Sequence, residues 1–245
     1  VTAPTRRRST VRQFVPPQHG AWAMLLVPYV AGVLATGLRW AHLPLLGAWL
    51  AGYLLSYYAL LTVKTRRPGR VRAQLLLYGS VTAVLGGLVC IAAPRVLTYG
   101  PAYAALLAVN AAYAYRRRER ALLNDLASVA QSCLMVFVVA TVAGVAPARV
   151  ADVFVAVLLY FAGTVLYVKT MIRERDSAGY YRASVAYHAV ALAVAAVVAW
   201  PLGVVFGVLL ARAWALPRRG LTPKQVGLIE IAACVALLVT LSLSA

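Results

Sequence analysis

Nine apolar runs separated by short polar or charged breaks fill the chain, at residues 20–37, 43–63, 73–93, 98–115, 121–145, 151–171, 183–199, 201–216 and 226–244. None keeps the apolar–polar alternation of an outer-membrane strand, and most reach the roughly 18 residues a helix needs to cross hydrocarbon. In lipid every backbone polar group must be satisfied internally, which leaves helices as the structure such runs adopt. The pattern predicts an all-α, polytopic transmembrane helical bundle of about nine helices. A basic segment, 1–19, precedes a single transmembrane domain, 20–245. The runs flanking Trp200-Pro201 are the shortest, and two structures stay open for them: two full helices, or one re-entrant hairpin.

Composition agrees. Hydrophobic residues make up 63% of the 245 and charged residues only 12%, about half the share a soluble domain uses to coat its surface. The net charge of +18 sets the topology. With the N-terminus cytoplasmic, only Arg39, Arg95 and Arg149 fall outside, so 21 of the 24 Lys and Arg collect on the inner face, as the positive-inside rule requires. The C-terminus then emerges outside. That placement makes membrane lipids the partners of the basic charge and excludes nucleic acid, since no basic soluble domain is present. Arg6, Arg7, Arg8 and Arg12 before the first run imitate a signal peptide, but no small-residue cleavage site follows, so the first helix is read as uncleaved. Cys90, Cys133 and Cys234 lie in apolar stretches without metal-ligand spacing and read as small buried hydrophobes.

Within this frame the polar residues in or beside spans carry the chemistry. Asn124 and Asp125 sit just inside the fifth span, with Arg120 spaced to share a helical face with Asn124. Lys169, Arg173 and Asp176 form a stripe at the end of the sixth, with Glu174 spaced to pair with Thr170. His19 precedes the first helix, His188 enters the seventh span with Ser184 and Tyr181, and Glu230 lies inside the ninth. Cations and carboxylates at one membrane level suit an anionic phosphate or diphosphate headgroup, with Mg²⁺ as a candidate cofactor. An internal echo also appears: Val63-Lys64-Thr65 returns as Val168-Lys169-Thr170, and at the same offset Asp125 is matched by Glu230. One leading helix plus two four-helix halves would produce it. No GxxxxGK, GxSxG or HExxH motif is present.

Pro17-Gln18-His19-Gly20-Ala21-Trp22-Ala23-Met24, Glu119-Arg120-Ala121-Leu122-Leu123-Asn124-Asp125-Leu126-Ala127 and Tyr167-Val168-Lys169-Thr170-Met171-Ile172-Arg173-Glu174, with Tyr187-His188 and Gly227-Leu228-Ile229-Glu230, resemble the YwiC-like family of bacterial membrane proteins. The resemblance covers nearly the whole chain and implies a multi-pass protein of the bacterial cytoplasmic (inner) membrane. It implies no activity. More distantly, the nine-span topology is similar to the UbiA superfamily of intramembrane prenyltransferases, whose two Asp-rich motifs end helices two and six and hold Mg²⁺ and a prenyl diphosphate. Lys64–Arg72 and Lys169–Asp176 occupy those places. The first Asp-rich motif is absent, and the second keeps only Glu174 and Asp176.

That similarity implies a cytoplasmic-side enzyme acting on a lipid phosphate or prenyl diphosphate. Lys64, Arg120, Lys169 and Arg173 would bind substrate, and Glu174 and Asp176 any metal. His19, Asn124, Asp125 and His188 would be the catalytic candidates, with Glu230 a further polar residue in the membrane. The alternatives are a transporter or binding protein for a small anion or lipid, and a non-catalytic membrane subunit.

Overall fold

The computed structural model describes residues 14–16, 19–217 and 219–244, with His19 and Ser244 described by backbone alone. Arg6, Arg7, Arg8, Arg12, Pro17, Gln18, Arg218 and the side chain of His19 therefore lie outside the described residues. Those described are helical, without a strand. In order they form α1 (His19–Thr36), α2 (His42–Thr65), α3 (Arg72–Ala92), α4 (Gly100–Tyr115), α5 (Leu122–Cys133), α6 (Met135–Val142), α7 (Ala151–Ile172), α8 (Ala178–Val198), α9 (Trp200–Ala215) and α10 (Pro223–Ser244). Short 3₁₀ turns at Pro68–Val71, Pro94–Tyr99 and Pro147–Val150 lead into α3, α4 and α7. Six helical segments are long and apolar enough to cross a membrane, α5 and α6 counting as one, and α1 and α9 are shorter apolar helices. This is a multi-pass membrane protein.

The helix ends follow from local chemistry. Gly37, at φ 80, closes α1 by donating its N–H to Val33 O at 2.9 Å, a left-handed cap that glycine adopts without a Cβ penalty. Ser177 Oγ accepts from the N–H of Tyr180 at the start of α8. Before α10, Thr222 Oγ1 accepts from the N–H of Gln225 while Gln225 Oε1 accepts from the N–H of Thr222, a reciprocal capping box. α2 and α4 end differently: Arg66 and Arg117 take φ of 55 and 56, a conformation costing a non-glycine residue about 1–2 kcal/mol.

α1 is apolar all round, as a buried helix must be. It packs against α6, α7 and α10, with Val27 and Ala31 in the main core and Tyr29 in a second cluster with Leu45, Val89 and Val139. Gly32 makes the closest approach; a Cβ there would stand 2.9 Å from Val139 Cβ. His42 at the start of α2 is fully buried and satisfied. Its Nδ1 accepts from the N–H of Arg39, so Nε2 carries the proton and donates to Val139 O at 3.1 Å, while Tyr29 donates to His42 O at 2.8 Å.

After α1 the chain reads as two matched sets. The lengths of α2, α3 and α4 are 24, 21 and 16 residues, and those of α7, α8 and α9 are 22, 21 and 16. The fourth members are the α5–α6 segment of 21 residues and α10 of 22. Both 16-residue helices carry a proline at their start. The second half supplies most of the larger core, around Tyr160, Phe161, Phe206 and Leu237.

Each of the nine runs read from the sequence is helical, with changed borders. The seventh begins at Ala178 rather than 183, which makes α8 a full crossing helix, and α9 follows after the single residue Ala199. The fifth is interrupted at Leu134. Arg120 falls in the turn before α5, so it shares no helical face with Asn124. α7 ends at Ile172, so Asp176 leaves the expected stripe, and Thr170 donates to Tyr167 O instead of pairing with Glu174.

Two glycines separate close packing from open space. Gly32→Ala forces Val139 to move, and overpacking of this kind lowers stability by about 1–3 kcal/mol. Gly207→Ala meets nothing within 4 Å and gains up to about 1 kcal/mol of helix propensity. Thermal unfolding in detergent should place the two variants on opposite sides of the parent.

Candidate functional site

α1 to α6 enclose a cavity of about 970 Å³, with contributions from the turn before α5 and from Arg173, near the upper end for small-molecule sites. Its body is apolar and aromatic, lined by Leu45, Trp49, Val89, Leu97, Tyr103 and Met135. One end differs: Lys64, Asn110, Glu119, Arg120, Asn124, Asp125, Ser128 and Arg173 converge there. The division follows from chain direction, because the ends of α2, α4 and α7 and the start of α5 all lie at this end.

A hydrogen-bonded network holds the charged head. Lys64 Nζ reaches Glu119 Oε1 at 2.6 Å, and Lys169 Nζ reaches Asp125 Oδ2 at 2.8 Å. Lys169 also donates to Arg120 O at 2.7 Å, and Asn124 Nδ2 donates to Glu119 O at 2.7 Å. Asn110 on α4 donates to Asn124 Oδ1 at 2.9 Å and to Ser128 Oγ at 3.1 Å. The turn joining α4 to α5 is thus fastened from α2, α5 and α7. Asp125 gains further from the first turn of α5, where the helix dipole favours negative charge.

Burial pulls the Glu119 carboxyl upward. The hydrogen bond from Lys64 and the positive charges of Lys64 and Arg120 outweigh burial, and the pKa lies below the ordinary glutamate value of 4.5.

Beside the head, Lys64, Thr65, Arg67, Arg70 and Arg117 line a second concavity of about 340 Å³ with no acidic residue in its wall. Both left-handed arginines belong to this rim: Arg117 lines the concavity, and Arg66 places its guanidinium 5.2 Å from the centre of the Tyr115 ring. Strained non-glycine backbone of this kind tends to collect at functional sites.

Of the residues singled out in the sequence, Lys64, Arg120, Asn124, Asp125 and Arg173 line the cavity, and Lys169 holds two of them. His188 and Glu230 do not. They belong to a separate buried group in the second half, where Glu230 pairs with Arg212 and accepts from Thr164 and Tyr160. Glu174 and Asp176 stand in the turn after α7, and among the described residues no three His, Cys, Asp or Glu side chains gather at one place. Asn110 was not singled out in the sequence, and Arg212 was counted there only among the basic residues of the inner face. Each interrupts an apolar run with a group that lipid cannot solvate, and that interruption was the available signal.

The two lysines are not equivalent. Lys169 is 7% exposed at its side chain and Lys64 is 43% exposed. Lys169→Met strands a partly buried carboxylate and a carbonyl, costing about 3 kcal/mol, whereas Lys64→Met costs under about 1 kcal/mol. Thermal denaturation of the two variants at pH 7 should show that order. The Lys64–Glu119 contribution is complete above pH 4.5, the ordinary glutamate value, and disappears as pH falls through the lower folded value. Acid unfolding of Lys64→Met should therefore lack that part of the loss.

Comparison with known proteins supplies the family. Residues 15–140 match the family described as YwiC-like protein. The Bacillus subtilis protein YwiC, described as uncharacterised, is 31% identical over 224 residues, covering 90% of this chain and 93% of its own. An uncharacterised Haemophilus influenzae protein is 33% identical over 225 residues, covering 88% and 91%. No solved structure matches. With a matched region running from the start of α1 through most of α6, and with relatives aligned over nearly their full length, the chain belongs to the YwiC-like family.

Proposed function

We propose that the cavity receives an amphiphile with a phosphate or diphosphate head and an apolar tail, at the cytoplasmic face of the bacterial inner membrane. The observation that carries this reading is the division of one cavity into a charged head and an apolar, aromatic body. The head has three cations in its wall, Lys64, Arg120 and Arg173, and its two carboxylates are neutralised by Lys64 and Lys169, which leaves Arg120 and Arg173 in surplus. The acid-free concavity of Arg67, Arg70 and Arg117 adjoins it at Lys64. Such a surplus attracts a multiply charged anion and stabilises negative charge developing on a leaving group.

The finer reading is prenyl transfer on a UbiA-like scaffold. The allylic C–O bond of a prenyl diphosphate breaks, pyrophosphate leaves into the cationic head, and carbon joins an acceptor oriented by Asn124 and Asp125, whose displaced proton passes to the departing pyrophosphate. Mg²⁺, which that superfamily uses, does not fit the residues present. Glu119 and Asp125 are each neutralised by a lysine, and Glu174 and Asp176 stand in the turn after α7. On this reading Lys64, Arg120 and Arg173 would neutralise the diphosphate in place of a metal ion.

Transport of the same kind of amphiphile is the second reading. The cavity wall runs from Lys64 at the basic end to Leu97 and Gly100 at the far end, a depth that passage across the membrane would use. Flux into proteoliposomes distinguishes it from transfer.

Detergent-solubilised protein titrated with farnesyl diphosphate should unfold at higher temperature, since a ligand at a hundred times its dissociation constant adds about 2.7 kcal/mol. Inorganic pyrophosphate alone should shift it less, and an Arg67→Gln/Arg117→Gln variant should respond weakly. No shift with farnesyl diphosphate or with a longer prenyl diphosphate overturns the reading.

A further inference from the structure

Seven buried side-chain polar atoms lack a hydrogen-bond partner among the described residues, and five belong to one neighbourhood in the second half: Tyr167 Oη, Ser184 Oγ, His188 Nε2, and Nε and Nη2 of Arg212. These residues come from α7, α8 and α9, away from the cavity. Arg212 is 7% exposed, and its guanidinium carbon stands 4.1 Å from the centre of the Tyr167 ring. His188 hydrogen bonds through Nδ1 to Ser184 O at 2.7 Å, so Nδ1 carries the proton of the neutral ring and Nε2 presents a lone pair. A side chain at Gly163 would meet that nitrogen at 3.0 Å, so glycine is what lets the ring lie against α7.

The arrangement of the unpaired atoms is informative. Glu230 takes Nη1 of Arg212. The two nitrogens left over, Nε and Nη2, form one edge of the guanidinium, with N–H bonds pointing the same way in a fixed fork. That fork matches the two oxygens of a planar oxyanion, and burying it empty is costly. We propose that Arg212, His188, Ser184 and Tyr167 form a second, enclosed binding site for a small carboxylate-type monoanion, held bidentate on the free edge of Arg212. The hydroxyls of Ser184 and Tyr167 donate to it.

Charge decides how it arrives. Arg212 and Glu230 already cancel, so a bare anion would leave the buried site net negative. The ligand enters as its conjugate acid: the acid O–H bond breaks, an N–H bond forms at His188 Nε2, and the net charge of the site does not change. The titratable and charged groups around His188 are Tyr187 beside it on α8 and Arg212 on α9, and Arg212 in turn meets Tyr167 on α7 and Glu230 on α10. Of these, His188 alone presents a free ring acceptor to the incoming acid, and the bound anion supplies the countercharge that its imidazolium needs there.

The test is thermal unfolding of the detergent-solubilised full chain with sodium formate and sodium acetate, at pH 5.5 and 7.5, against sodium chloride at equal ionic strength. The expected result is a carboxylate-specific rise in Tm that is larger at pH 5.5. Arg212→Lys keeps the charge beside Glu230 but has no fork, and should abolish the rise while leaving the response to farnesyl diphosphate unchanged. His188→Gln should remove the pH difference. Ser184→Ala, which leaves both charged residues in place, should weaken binding about fivefold. The proposal is overturned if chloride matches the carboxylates, if the rise persists in Arg212→Lys, or if it is equal at both pH values. Water molecules resolved on the free edge of Arg212 in protein saturated with formate would also overturn it.

Discussion

Lys169 is the joint on which the arrangement depends. It projects from the end of α7 into the first half, where one ammonium holds the Asp125 carboxylate and the Arg120 carbonyl. The carboxylate and the carbonyl offset the cost of taking this ammonium out of water. Asp125 in turn stands in the first turn of α5, and Arg120 belongs to the turn that also presents Glu119 to Lys64. The cavity head and the start of α5 are therefore tied to the second half through a single ammonium group.

The two halves resolve a shared problem differently. A bundle in lipid must satisfy its polar groups from within. Between α4 and α5 this is done by neutral amides, Asn110 with Asn124, beside an open cavity. Between α9 and α10 it is done by a full ion pair, Arg212 with Glu230, inside a closed core. Neutral amides leave the neighbouring charges available to a ligand. An ion pair consumes most of its own field and keeps only the edge of the guanidinium that its partner does not reach.

The apolar runs and their charged breaks were enough to read the helices, because bilayer thickness imposes one length scale on every span. Lys64, Asn124, Asp125 and Lys169 were legible for a related reason: a charge or amide at a span end stands out against an apolar background. What was not legible is which of them meet. Lys64 and Glu119 are 55 positions apart and Lys169 and Asp125 are 44 apart, and no periodicity spans such distances. Placing Arg120 on the helix with Asn124 failed because spacing does not reveal that α5 starts at Leu122. Grouping His188 and Glu230 with the other polar residues failed because membrane level gives depth but not lateral position.

The single residue between α8 and α9 also bears on how the protein is made. Ala199 joins them in an extended conformation, with φ −159 and ψ 133, and leaves no spare chain. α9, at 16 residues, rises about 24 Å and falls short of a hydrocarbon core about 30 Å thick. It also carries Arg212, a charge whose partner Glu230 lies on the helix synthesised next. Alone it is a poor candidate for stable insertion. During biogenesis α8 and α9 must therefore pass from the translocon as one hairpin, and the hairpin stays incomplete until α10 arrives with the countercharge.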